Sequence, residues 1–352
     1  MPSLKFNRSY VVLVLLFVLT LPTMALPQKA KQIKKVPTPT GAFPGELVYA
    51  LTTGNSLISF DSVAPGSILS SVTITGLQAG ENVLGIDFRP VTRQLYALGS
   101  TSRLYTINLT TGVATIVGAQ FTPALVGTAF GFDFNPTVDR IRVTSNSDQN
   151  LRLNPNNGTV AGVDNTIVYI AGDPNAGFDP SAVGSAYTNN FVGATTTTLY
   201  DIDSNQDTLV IQNPPNNGTL NTVGPLGFDT SELVGFDISR VSSTAFASLT
   251  APAAVASGFY TVNLITGAVI LVGTIGGGAT IRGIAIVPTA LAGDLLISEF
   301  RLRGLSGASD EFVEIYNPSS QPLTVATFDG SSGFSLAASD GVARFTIPNG
   351  TV

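Results

Sequence analysis

A unit of about fifty residues recurs along this chain, and one copy of it is divided between the two ends of the repeated region. Complete copies open at Gly85 (GIDFRPVTRQLYAL), Gly131 (GFDFNPTVDRIRVT), Gly184 (GSAYTNNFVGATTTTLYDID) and Gly235 (GFDISRVSSTAFASL). A fifth opening, at Gly283 (GIAIVP), lacks the later part of the unit. That part stands at the other end, where Glu46–Gly76 (ELVYALTTGNSLISF…SSVTITG) has the later strands but no Gly-led one. An array with a divided copy is one whose first and last strands pair to close a ring, because a lone unit leaves faces uncovered and an edge unpaired.

Within a unit, short runs alternate apolar and polar residues. In the second copy they are Gly85–Pro90, Leu95–Leu98, Leu104–Asn108 and Val113–Val117, and nothing between Glu46 and Pro288 has a sustained helical period with caps. Thr111-Gly112, Asn157-Gly158, Asn217-Gly218 and Thr266-Gly267 join the third run to the fourth, predicting tight hairpins whose two central residues both have φ > 0. Four antiparallel strands per unit, repeated every 46 to 53 residues, predict an all-β fold, a five-bladed β-propeller over 46–288. The blades are Glu46–Gly76 with Gly283–Pro288, then 85–118, 131–171, 184–224 and 235–273. Six blades is the alternative, if Asp164–Asp179 hides a degenerate one; we read that stretch as the third blade's outer strand followed by a surface loop.

The Gly-x-Asp-Phe…Leu-Tyr…Thr-Gly pattern, with the run AYTNN…TTTTLYDIDSNQDTLVIQNPPNNGTLNTVGPLGFD, resembles the bacterial domain of unknown function numbered 4394 over Glu46–Pro288. The resemblance implies the fold and no mechanism, since that family has no established activity. The copies also resemble surface propellers in which the Gly-led strand is innermost. Beyond Pro288 the pattern changes. ISE, DEFVEIYNP and FTIPNGT resemble the first half of a lamin-tail domain, which implies a partial immunoglobulin-like sandwich over 292–352.

The chain is 352 residues with 44% hydrophobic and 11% charged residues, enough to bury a large core. It has no cysteine and no histidine. Disulfides, thiolate zinc sites, cysteine nucleophiles, imidazole bases and Ser-His-Asp triads are therefore excluded. All five lysines precede residue 36, and from residue 41 onward eleven arginines face 23 acids. So acidic a body disfavours nucleic acid and anionic lipid, and no nucleic-acid partner is expected.

Lys5 and Arg8 precede the apolar run Val11–Leu21, and Thr23-Met24-Ala25 has the small residues of a cleavage site, predicting a signal peptide over 1–25. The run falls short of the ~20 residues of a membrane span, so none is expected after cleavage. Residues 26–45 read as a basic, proline-containing linker. Secretion, or a place at the cell surface, follows as the expectation.

Three sets of residues are candidates for chemistry. Asp201, Asp203, Asn205 and Asp207 (DIDSNQD) alternate like the start of a calcium loop, but the loop glycine and twelfth-position Glu are replaced by Gln206 and Gln212; a hairpin loop bonding its own backbone is the plainer reading. Asp87, Asp133 and Asp237 share one place in the Gly-led strand, with Ala186 and Ala285 there in the other copies. If that strand is innermost, they approach the central channel as a cation or ligand site, or each accepts backbone hydrogen bonds and fixes its own blade. Glu311 and Glu314 are too close along one strand to act across a substrate, and Tyr96, Tyr105, Tyr200 and Tyr260 read as packing.

No catalytic residue is assigned and no cofactor is expected, calcium being the one candidate ion. The function expected is a non-enzymatic binding or interaction protein, its partner an extracellular protein, glycan or surface component, the chain a monomer. The alternatives are a calcium-dependent propeller hydrolase or lyase using the aspartates above, and a structural spacer in a larger surface protein.

Overall fold

The computed structural model of the chain describes residues 45–288, 296–301, 312–316, 325, 333–337 and 343–351. The signal peptide expected over 1–25, all but the last residue of the linker expected over 26–45, and Glu311 lie outside the described residues.

Residues 47–286 form five sheets arranged as a five-bladed propeller. The first blade is sewn from both ends of the repeated region. Its strands β1 (Leu47–Thr52), β2 (Ser56–Asp61) and β3 (Ala64–Thr73) lie beside β21 (Ile281–Ile286), which supplies the innermost strand. β1 and β21 run antiparallel, with Val48 opposite Ile286 and Tyr49 opposite Ala285. Closure by this seam is what the divided repeat predicts. The second blade is β4 (Val83–Phe88) to β7 (Ala114–Val117), with β5 (Leu95–Gly99) and β6 (Arg103–Ile107) between them. The third runs from β8 (Phe130–Asn135) through β9 (Arg140–Ser145) and β10 (Asn150–Leu153) to β11 (Val160–Val163). The fourth runs from β13 (Ala182–Tyr187) through β14 (Leu199–Asp203) and β15 (Thr208–Gln212) to β16 (Thr219–Pro225). The fifth is β17 (Val234–Ile238), β18 (Ala245–Leu249), β19 (Gly258–Val262) and β20 (Val269–Thr274).

Burial falls from the axis outward. The inner strands β8, β13 and β17 are buried at nearly every residue, whereas β11 and β20 alternate or stay exposed. Both faces of an inner strand meet a neighbouring blade, so it is apolar on both sides, whereas an outer strand meets solvent. Most blade interfaces hold their own apolar layer. Leu51 and Leu57 meet Ile86 and Ala97, Tyr96 and Leu98 meet Phe132 and Phe134, and Ala186 and Ile202 meet Phe236 and Ala247. Between the fifth and first blades Phe246 and Phe259 meet Val48 and Ile284.

Two details depart from the sequence reading. The Thr-Gly and Asn-Gly turns are not two-residue hairpins. In the second, third and fifth blades the Gly N–H donates to the carbonyl of an asparagine four residues earlier: Gly112 to Asn108, Gly158 to Asn154 and Gly267 to Asn263, at 2.8 to 2.9 Å. Only the glycine has positive φ, 72° at Gly112, where a Cβ would also lie 2.3 Å from the Thr73 carbonyl oxygen of the neighbouring blade. The asparagine side chain caps the loop, Asn108 Oδ1 accepting from the N–H groups of Thr110 and Thr111.

The second departure concerns Asp164–Asp179. The third blade ends at β11; residues Val168–Tyr169 (β12) cross to the fourth and pair in parallel with Thr219–Leu220 on its outer edge. Ile167 and Tyr169 are buried there against Val210 and Leu220, covering an edge that would otherwise stand open.

After the ring, β22 (Leu296–Arg301) pairs with β23 (Phe312–Tyr316), and β24 (Gly333–Ala337) pairs with β25 (Ala343–Pro348). These make two separate two-stranded sheets among the described residues, and the sandwich expected over 292–352 does not join them there. No α-helix occurs among the described residues, and no helix there is long and apolar enough to cross a membrane.

Candidate functional site

The inner strand of each blade is an edge strand, and alternate N–H groups along it point at the axis with no strand to receive them. Such groups need acceptors when buried. One N–H per blade is answered by a carboxylate. Asp87 accepts from its own neighbour Phe88 at 2.7 Å and from Phe134 of the next blade at 2.8 Å. Asp133 accepts from Tyr187 of the next blade at 2.8 Å. Asp237 accepts from Ile238 and from Ile286 of the seam strand, both at 2.6 Å. Three aspartates thus serve five equivalent N–H groups around the ring. Ala186 and Ala285 stand in the two copies whose carboxylates would have no further N–H to serve.

The same arrangement brings the three carboxylates together, with one oxygen of each within 4.8 Å of the others and all three side chains buried. Burial, then the charge of Asp237, drives the Asp87 carboxyl well above the ordinary range; burial, then Asp87 and Asp237, does the same to Asp133. Burial pushes Asp237 up to about 7 against its two N–H donors. The axis above them is not an open channel. The Gly-led strands approach so closely that a Cβ on Gly235 would lie 2.6 Å from the Ile284 nitrogen, and the space left is about 10 Å³, room for about one water. The axial residues could hold a cation only as a fully enclosed guest.

The DIDSNQD residues do not converge in that way: Asp201, Asp203 and Asp207 form no such carboxylate group. Strand β14 continues through Asp203, so Asp201 and Asp203 point into the packed blade. Asp203 Oδ1 accepts the N–H groups of Ser181, Asn205 and Gln206, and its other oxygen accepts from the Tyr169 hydroxyl. Asp207 accepts from Thr230 N–H, and Asn205 donates to the Asp179 carbonyl.

The sequence reading missed the interface between the third and fourth blades. Buried polar side chains also join the second and third blades, where Arg89 donates to Asp139 and Asn156, but between the third and fourth no apolar cluster accompanies them among the described residues. Arg142, 2% exposed, donates to Asn150 and Asp164 through Nη1, to Asn216 through Nη2 and to the Tyr187 hydroxyl through Nε. Arg152 makes a two-pronged pair with Asp164, its Nε and Nη2 each at 2.8 Å. Ser185 links Thr144 to Asp201, whose second oxygen has no partner and whose carboxyl burial pushes up to about 7. At the mouth of this interface lies a cavity of about 450 Å³. A larger one, about 680 Å³, lies between the first and second blades beside Tyr49, Leu95 and Pro288.

The family described as Domain of unknown function (DUF4394) matches residues 56–285. The chain belongs to that family. No curated protein matches it. Among solved structures, a protein of unknown function from Bacteroides thetaiotaomicron is 12% identical, covering 57% of this chain and 53% of that one, with a TM-score of 0.40. Hydrazine synthase from Kuenenia stuttgartiensis is 13% identical over 57% of this chain and 52% of its own, with a TM-score of 0.35. A chain of the nidogen/laminin complex is 12% identical, covers 69% of this chain and 98% of that one, and has a TM-score of 0.36. This chain therefore spans about half the length of the first two.

Proposed function

We propose that this DUF4394 protein is a non-catalytic binding or interaction module, exported by its leader and working outside the cell or at its surface. The observation that carries the reading is the use made of the acidic residues. The carboxylates that could have formed a reaction centre are spent on main-chain N–H groups under a closed axis, and the DIDSNQD aspartates are tied into their own blade. A hydrolase or lyase needs such groups in contact with substrate. The competing reading, a calcium-dependent hydrolase or lyase, draws on the approach of Asp87, Asp133 and Asp237 to within 4.8 Å.

Melting in millimolar calcium and in chelator separates the two. The binding module should give coincident midpoints and no turnover of lactone or polyuronate substrates. A midpoint several degrees higher in calcium, lost in Asp133→Asn, would support the metal-dependent enzyme instead. Export has its own check: N-terminal sequencing of the extracellular protein should begin at Leu26, and a chain retained inside the cell with Met1 intact would overturn it.

A further inference from the structure

The five blades act as internal controls for one another, because the strand registers define equivalent positions. The residue opposite the axial Asp or Ala is Tyr49, Tyr96, Tyr200 or Phe246 in four blades and Arg142 in the third. The position beside it on the next strand out holds Ser59, Thr106, Ile211 or Thr261, and Arg152 in the third. The position opposite Asn135, two residues before Arg142, holds Arg140; its counterparts in the second, fourth and fifth blades are Gln94, Thr198 and Thr244. The scaffold evidently needs no arginine at any of these places. Arg142 and Arg152 even lie directly opposite each other across two strands, a like-charge pairing that costs stability.

Arg140, Arg142 and Arg152 all line the 450 Å³ cavity, together with Asn135, Tyr187 and Asn216. Asp164 pairs with Arg142 and Arg152. Arg140 donates only to the main-chain carbonyls of Val138 and Asp139 and has no carboxylate partner among the described residues. The lining itself holds three arginines and no acidic residue, in a ring where acids outnumber bases. Departure from the local rule, arginines where the equivalent positions of sibling blades hold aromatic or other uncharged residues, is expected where a protein binds something.

We propose that this crevice between the third and fourth blades binds a small molecule through an oxyanion group, a carboxylate, sulfate or phosphate. The inference rests on the binding-module reading and names the chemistry of its ligand. Arg142, locked by four partners, is a fixed positive wall. Arg140 and the free Nη1 of Arg152 present unspent donors with the fork geometry that suits two oxygens at once. Asn216 and Tyr187 border the same space, and Pro214 and Pro215 give it an apolar side.

Titration calorimetry at low ionic strength tests this with glucuronate, a glucose phosphate, a glucose sulfate, and glucose as the neutral counterpart. At least one anionic sugar should bind and glucose should not, and the identity of the anion distinguishes carboxylate from sulfate and phosphate. Arg140→Thr combined with Arg152→Thr installs the residues of sibling blades and should weaken binding about tenfold or more, as loss of charged hydrogen bonds does. Should the double variant fail to fold, Arg140→Thr alone decides, because Arg140 holds only its own loop. Failure of every anionic sugar to bind, or undiminished binding by a folded variant, overturns the site and leaves the binding-module reading standing. Release of phosphate or sulfate from a bound sugar overturns the non-catalytic reading and leaves the anion site standing.

Discussion

Raising the pH from about 5 to about 8 should destabilise this protein, by roughly 2 to 3 kcal/mol for each of Asp201 and Asp237. Both side chains are buried, and burial is the main reason their carboxyls are pushed up to about 7. Ser185 and Arg142 pull Asp201 the other way, as the N–H groups of Ile286 and Ile238 do for Asp237. In the unfolded chain a carboxyl titrates near 3.9, so between about pH 4 and 7 the folded state holds a proton that the unfolded state has released. The associated stability is complete below about pH 4 and is lost as pH rises through about 7. Asp87 and Asp133 act in the same direction. Glu81 and Asp173 are held below the ordinary range; their contribution is present above it and lost only in acid, so they are silent in this window. Urea unfolding across the pH range measures the slope. Asp201→Asn should remove its own share of it, and stability that is flat or rising from about pH 5 to 8 would sink the argument.

The ring was legible because its geometry repeats. A Gly-led strand every 46 to 53 residues is what five inner strands crowded on one axis require, and a divided copy has no other use than the β1–β21 seam. What stayed hidden were contacts between copies. The partners of Asp87 and Asp133 are main-chain N–H groups 47 and 54 residues away, and a backbone N–H leaves no mark in a sequence. Val168–Tyr169 changes sheet through a two-residue parallel pairing, too short to impose a pattern, and so it read as part of the third blade. The DIDSNQD spacing imitates a calcium loop because alternation is also the period of a strand, and Asp201 and Asp203 are strand residues. The arginine cluster did leave a signal. Where sibling copies read LYAL, LYDI and AFAS, the third reads IRVT, and a column-by-column comparison of copies exposes the substitution of a cation for an aromatic ring.

Replacing Asp237 with alanine should cost more stability than replacing Asp133, although both carboxylates sit in the same buried group. Asp237 serves two N–H groups, those of Ile238 and Ile286, and Asp133 serves one. A buried donor left without an acceptor costs about 1–3 kcal/mol, which puts Asp237→Ala at roughly 2 to 6 kcal/mol and Asp133→Ala at about half that. Each substitution also relieves repulsion among the three carboxylates, and because Asp133 is the one raised by both of its neighbours, relief offsets more of its smaller loss. Position sharpens the contrast. Ile286 belongs to the seam strand β21, so losing its acceptor loosens the interface between the fifth blade and the strand that closes the first, whereas Tyr187 lies at an interface that the Arg142 network also holds. At about 2–4 °C per kcal/mol for a domain of this size, Asp237→Ala should lower the melting midpoint by on the order of 10 °C. Ala186→Asp supplies the complementary test: it adds a fourth buried carboxylate with no N–H to serve, and it should destabilise as well. If Asp237→Ala melts with the unaltered protein, or Asp133→Ala proves the worse of the two, the carboxylates are not holding the ring through its inner N–H groups.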